Sequence, residues 1–365
     1  MQITRNTTSM AAGICVSTDK AGRDFCVVVV KGTFSLRSDG GVELADEQAP
    51  LVYADEHYGE PAETSIRYEC DFVPFKPRCD VLMNGSAHAP GGKSATRVTV
   101  ALRVGSVNKS FDVVGDRVWR RGIVGLVPTR PKAFRQLPIT YDRAYGGVDV
   151  AGSKSEKTQT FLENPVGTGY YPLTRRAACV GKPLANTEET GRPIRSASRR
   201  YRPMSFGAMG RNFPSRVRFA GTYDDHWKED RFPFLPLDFD EQYFLCSPPD
   251  QQAPFLRGGE VVSMKNLTPE GQRSFTVPRV DVPIVCRFRD RDDRPSVRLD
   301  TMIIEPDQGR VILTWRARTQ LGRKIHALRE ILIGRRPRAR ASKPRFRSIP
   351  EFIEWKRQRA PIRSE

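Results

Sequence analysis

The chain has 365 residues, of which 38% are apolar, with 28 prolines, 29 glycines and a formal net charge of +18. That length supports one large or two closely joined domains, and the Pro and Gly content implies short elements and much loop. No apolar run reaches the ~18–20 residues that span a bilayer, and Met1–Ala12 lacks the basic and apolar regions of a signal peptide, so the expected compartment is the cytoplasm. The charge is uneven: residues 320–364 hold 14 Lys and Arg against three Asp and Glu.

From the N-terminus the pattern is that of strands. Phe25–Val30 is a continuous apolar run that becomes alternating through Leu36, Ser38-Asp39-Gly40-Gly41 offers a turn, and Val42–Leu44 forms the returning arm. Ser65–Val73 alternates, with Ile66, Tyr68, Cys70 and Phe72 on one face. Asp80–Ala87 reads as a strand closing on an Asn84-Gly85 turn, and Arg97–Val104 with Lys109–Val114 reads as a hairpin. Period-2 segments at short intervals predict a mainly β protein, an antiparallel β-sandwich or barrel-like core with long ordered loops and few short C-terminal helices.

Residues 151–214 are rich in Gly, Pro, Asn, Arg and Ser and have little periodicity, so they read as irregular loops lying over the sheet. A loop region this long inside a compact domain is usually functional. Strands resume at Arg216–Phe219, Gly259–Leu267 and Arg310–Trp315. Ile325, Leu328 and Leu332 fall at helical spacing before Gly334, and Ser348-Ile349-Pro350-Glu351 opens a second short helix through Trp355. The expected organisation is a β-rich body over 1–320, with any division into two sub-domains near 150–215, and a short helix with a basic tail over 321–365.

Chemistry-bearing motifs are sparse. The seven cysteines are scattered without C-x-x-C spacing, which suits reduced structural thiols. The four histidines show no H-x-x-x-H or H-E-x-x-H spacing, and neither G-x-S-x-G nor a phosphate-binding glycine loop occurs, so no metal or cofactor is expected. Two readings compete for the carboxylates near His226. Asp238 and Asp240 with His226 suit general acid–base work in a hydrolase, whereas turn-forming Asp more commonly caps loops, as Asp224 and Asp238 would with help from Arg231. Gly115–Trp119 allows an Asp116–Arg117 ion pair and an Arg–Trp stack, either a structural corner or a partner anchor. Seven Lys and Arg in 335–347 could neutralise phosphates non-specifically or meet an acidic partner protein, but no fold-level nucleic-acid signature accompanies them.

Several motifs in fixed order resemble the bacterial family called domain of unknown function 2169. They are Val30–Phe34, Pro74–Val81, Gly85–Gly92, Val114–Trp119, Pro138–Gly147, Asn164–Gly169, Gly221–Trp227, Arg231–Asp240, Ser247–Gln252 and Val311–Arg316. The resemblance spans roughly residues 25–316. Cys79 departs from it where a small polar residue is frequent, Tyr145 where Phe is usual, and the Arg-rich tail lies outside it. It implies a cytoplasmic, non-enzymatic adaptor or chaperone beside type VI secretion genes, loading an effector or a PAAR-like or VgrG spike component. No catalytic residues come with the family. Combined with the Arg and aromatic content, it singles out Arg117, Trp119, Arg143, Tyr145, Trp227 and Arg231 as partner-binding or scaffold residues.

Overall fold

The computed structural model describes residues 3–61, 63–123, 125–150, 158–322 and 327–334. Its backbone is a seven-stranded sheet ordered Gln252–Ala253, Cys79–Met83, Arg298–Glu305, Arg310–Gln320, Asp24–Leu36 and Ala11–Thr18, with Val42–Leu44 added to the far end of Asp24–Leu36. The longest ladder sets Ser35 opposite Arg310 and Phe25 opposite Gln320. A five-stranded sheet faces it, ordered Thr187–Glu188, Val107–Val114, Arg97–Val104, Val261–Lys265 and Gln272–Thr276. Cys26, Val28 and Val30 from the first sheet and Val98, Val100, Leu102 and Val104 from the second share one core, so the expected β-sandwich forms. Most neighbours are antiparallel, but Cys79–Met83 runs parallel to Arg298–Glu305.

The continuous run Val27–Val30 has a direct cause: both faces of its strand are covered. Cys26, Val28 and Val30 enter the inter-sheet core, while Phe25, Val27 and Val29 pack with Leu51 and Phe72 from the loop crossing the outer face. A second outer-face cluster joins Leu82, Ile303 and Ile312 to Ala208 and Cys246, which come from the strand-free chain between Glu188 and Gln252.

Four local expectations are corrected. Leu328–Ile333 is a strand, not a helix: it pairs antiparallel with Ile284–Phe288 and parallel with Ile3–Asn6. Its Leu328, Ile331 and Ile333 are buried, and two sheet partners on β-branched residues outweigh an isolated helical turn. Arg216–Phe219 is not a strand, because Pro214 opens a helical turn over Pro214–Val217. Asn84-Gly85 is no hairpin turn: Gly85–His88 leaves to pair with Gln136–Ile139, and Asn84 Nδ2 donates to Arg67 O at 2.9 Å. In Ser65–Val73 only Ile66–Tyr68 is strand, and Glu69, Asp71 and Val73 are buried rather than Cys70 and Phe72. The second expected helix, 348–355, lies outside the described residues, as does the basic run 335–347.

The inverted carboxylates have basic partners. Lys31 Nζ donates to Asp71 at 2.8 Å, and Arg216 Nη2 donates to Glu69 Oε1 at 2.6 Å. Between them Lys76 Nζ donates to the fully buried Asp80 at 2.7 Å, and Asp80 also accepts from the backbone N–H of Cys246 and Ser247 and from Ser247 Oγ. Burial alone would raise the Asp80 carboxyl, but Lys76 and Ser247 outweigh it and hold it below its ordinary 3.8. For Asp80→Asn, which takes from buried Lys76 its nearest counter-charge and leaves only Glu69 at 3.7 Å, we expect a loss of about 3 kcal/mol at pH 7 in denaturant unfolding. A carboxyl lowered on folding stabilises above its unfolded value, and that contribution disappears as pH falls through the folded value. The gap between wild type and variant should therefore shrink only well into acid; equal unfolding midpoints at pH 7 would contradict the assignment.

Candidate interaction surface

The six residues singled out from sequence divide into two groups. Arg117, Trp119, Arg143 and Tyr145 lie on the short strands and turns that precede the loop region, where Trp119 and Tyr145 are buried with its Phe161, Tyr170, Leu184 and Ile194 in a core of their own. Arg117 does not pair with Asp116. It turns inward to Glu188 Oε1 at 2.7 Å and to Ala185 O at 2.8 Å, while Asp116 accepts from Asn186 Nδ2 at 3.1 Å. Arg143, partly exposed, donates to Asn186 Oδ1 at 3.3 Å. Glu188 holds three donors at once: Arg117, Arg97 Nη2 at 2.6 Å and the Ile194 N–H at 2.9 Å.

The motif Tyr141–Gly147 is scaffold. Asn164 Nδ2 donates to Tyr141 O at 2.7 Å and Tyr145 O at 3.1 Å, and Asn164 O accepts from the Gly147 N–H at 2.9 Å. Gly147 has φ +109°, and a Cβ there would stand 2.4 Å from Gly167 O, so only glycine fits. This tie joins the two motifs Pro138–Gly147 and Asn164–Gly169 that stand apart in sequence.

Trp227 and Arg231 belong to an excursion over 221–239 built on the short helix Asp225–Asp230. Asp224 caps that helix by accepting the Trp227 N–H at 2.9 Å, and Trp227 Nε1 donates to Phe234 O at 2.8 Å. Tyr223 and Phe232 meet the Trp227 ring edge-on, with centroids 4.7 and 5.7 Å away. The tip of the hairpin between Ala11–Thr18 and Asp24–Leu36 clamps the excursion. Arg231 donates to Lys20 O, Lys20 Nζ donates to Leu237 O at 3.3 Å, and the Phe234 ring lies against Gly22. Outward from this base stand Phe232 at 69% exposure, Leu237 at 66% and Tyr223 at 49%.

Asp238, Asp240 and His226 have separate local roles. Asp238 accepts from Thr222 N–H at 3.0 Å and Thr222 Oγ1 at 2.8 Å, which keep its carboxyl below the usual value. Asp240 caps the turn Glu241–Phe244 through the Gln242 N–H at 2.8 Å. His226 Nδ1 sits 2.7 Å from Asp230 Oδ2 in open solvent. Among the described residues no three His, Cys, Asp or Glu gather as metal ligands would, and no helix is long and apolar enough to cross a membrane.

Residues 21–316 match the family described as "Uncharacterized protein conserved in bacteria (DUF2169)". The chain belongs to that family. No match is found among curated proteins or among solved structures. Seen as a DUF2169 member, the chain places its glycine, proline and asparagine motifs at scaffold positions, and its exposed apolar side chains mostly outside them. Phe232 and Leu237 sit within a motif, but nothing in one sequence separates their exposure from the burial of neighbouring Phe239. Arg195, Arg199 and Arg200, exposed on the loop after Glu188, were legible only as part of an Arg-rich stretch.

The Glu188 junction is testable. Glu188→Gln strands the buried Arg117 and should cost about 3 kcal/mol or more in denaturant unfolding. Because Glu188 also holds Ile194, trypsin cleavage within 192–202 should quicken in the variant; an unchanged midpoint with an unchanged cleavage rate would contradict the junction.

Proposed function

We propose that the chain is a non-enzymatic adaptor that grips a protein partner, and that the excursion over 221–239 is a contact face. The observation that carries the reading is the set of large apolar side chains, Tyr223, Phe232 and Leu237, held outward on a base fixed by the Asp224 cap and the Lys20–Arg231 clamp. Solvent-facing aromatics on a fixed base suit recognition, because fully burying such a side chain contributes about 1.5–3 kcal/mol with little ordering to offset it. Aromatic anchors of this kind concentrate interface energy. The excursion replaces Trp119 and Tyr145 as anchor, since those two rings are buried in the loop core.

The resemblance supplies the setting: a cytoplasmic accessory of a bacterial type VI secretion system, with an effector or a PAAR-like or VgrG spike component as partner. The hydrolase alternative draws less support, because Asp238, Asp240 and His226 are each held in a different local hydrogen bond. Nucleic-acid binding through the tail concerns residues outside those described.

Co-purification from the native host at near-endogenous level, read by mass spectrometry, tests the proposal. Wild type should retain a secreted effector or spike-tip protein that Phe232→Asp/Leu237→Asp loses by tenfold or more, with no change in melting temperature. No protein lost between the two samples, or small-molecule turnover by the purified chain alone, would overturn it.

A further inference from the structure

The loop over 187–202 carries a second surface, made of residues other than the aromatic excursion. Its ridge, Ser198-Arg199-Arg200, separates two clefts. One, of about 590 Å³, is lined by Glu188, Arg192, Arg195, Arg199, Arg200 and Arg202. The other, of about 280 Å³, is lined by Tyr145, Tyr170, Tyr171, Arg176, Arg199 and Arg200. Arg199 and Arg200 face both.

The charges on this surface do not balance. Glu188 is already neutralised by Arg97 and Arg117, Glu189 bridges to Arg192 at 3.2 Å, and Asp250 takes Arg202 at 2.8 Å. Arg176, Arg195, Arg199 and Arg200 are exposed, and among the described residues none of them has a carboxylate partner. Among the described residues, the four guanidinium groups around the two clefts are left without a carboxylate to hold. Their backbone, by contrast, is fixed from beneath. Tyr145 Oη donates to Arg199 O at 3.0 Å, and Tyr201 Oη accepts from the Arg195 and Ser196 N–H groups, both at 3.1 Å. The Tyr145 ring meets Tyr201 and Tyr170 edge-on at 5.3 and 6.4 Å. Only the arginine side chains remain to be ordered by a ligand, which lowers the entropy lost on binding.

We propose that these two clefts form one binding site for an acidic segment of the partner protein, an extended stretch rich in Asp and Glu. The inference deepens the adaptor reading and rests on it. Guanidinium groups bind carboxylates in bidentate pairs, and a run of side chains crossing the ridge could meet Arg195 on one side and Arg176 on the other. The chemistry favours a peptide over a nucleic acid. Single strands bind by stacking bases on open aromatic faces, but Tyr145 and Tyr170 are buried at 2% and 4% exposure, and Arg200 lies over the Tyr170 ring at 5.9 Å. The longest described α-helix, Asp225–Asp230, has six residues, too few to read a groove.

The test is fluorescence anisotropy on the full chain with a labelled ten-residue Asp/Glu peptide and, in parallel, a labelled ten-nucleotide oligothymidine, each at 50 and 200 mM salt. Arg195→Glu/Arg199→Glu/Arg200→Glu should weaken peptide binding at least tenfold, and Arg195→Ala/Arg199→Ala by threefold or more should the reversal variant fold poorly. The basic tail is the same in every protein compared, so the differences report the clefts. Phe232→Asp/Leu237→Asp should bind the peptide as wild type does. Peptide affinity within twofold of wild type in the triple variant would overturn the inference. So would tighter oligonucleotide than peptide binding lost by the same substitutions, or partner capture in the native host that survives the triple reversal. Failure of the adaptor reading looks different: peptide binding persists while the Phe232→Asp/Leu237→Asp protein loses no partner.

Discussion

Lys76 and Asp80 sit 2.7 Å apart with almost no access to water, and the path of the long loops depends on that pair. Asp80 is on a sheet strand, and its remaining lone pairs take the Cys246 and Ser247 N–H groups and the Ser247 hydroxyl. The chain at Ala208 and at Cys246–Ser247 is thereby fastened to the outer face of the sheet. Glu69 repeats the device one step away: it takes Arg216, whose other nitrogens donate to Met209 O and Tyr243 O. A sheet face covered by irregular chain cannot satisfy that chain's backbone with ladders, so buried charges do it instead. Each such charge is expensive to bury alone and tolerable only as part of the set.

The excursion over 221–239 leaves and rejoins this fastened segment, between Arg216 and the Asp240 cap. Its aromatic side chains face solvent because its own base, not a core, fixes them: the Asp224 cap, the Trp227–Phe234 bond and the hairpin tip at Lys20. The loop over 187–202 follows the same logic with different parts. Glu188 lies at the end of the five-stranded sheet and gathers Arg97, Arg117 and Ile194, and the tyrosines beneath hold the Arg199 ridge. Sheet, charge and then surface is the order in which position is passed outward. Both surfaces present side chains outward on a fixed base, as the adaptor proposal requires.

Strands were legible where the apolar pattern had one interpretation. Asp24–Leu36 and the hairpin Arg97–Val114 were plain because long runs of Val and alternating residues have no helical rival. Leu328–Ile333 was ambiguous, since Leu and Ile at those spacings fit a helix or a strand, and the deciding partners, Ile3–Asn6 and Ile284–Phe288, are remote in the chain. The charged layer was hidden for a physical reason. Glu69 and Asp71 alternate with Tyr68, Cys70 and Phe72, and a carboxylate next to an aromatic reads as the solvent face; remote cations reverse that, Arg216 for Glu69 and Lys31 for Asp71. The local Asp116–Arg117 pairing failed likewise, because Glu188 offers Arg117 a buried partner 71 residues on. The cap at Asp224 was readable because the Trp227 N–H it accepts is close in sequence; Asp238 anchors its loop through the more distant Thr222, and Arg231, expected to help these two carboxylates, donates to Lys20 O.

Site-specific photo-crosslinking in the native host addresses the central claim most directly. A photoreactive phenylalanine analogue replaces Phe232 in one strain and, in another, Val261, which is exposed on a strand of the five-stranded sheet and lines neither surface. The account predicts a discrete adduct from position 232, containing a secreted effector or spike-tip protein, and none of it from position 261. Identical adducts from both positions, or none from 232 while the host's secretion system is active, would contradict it.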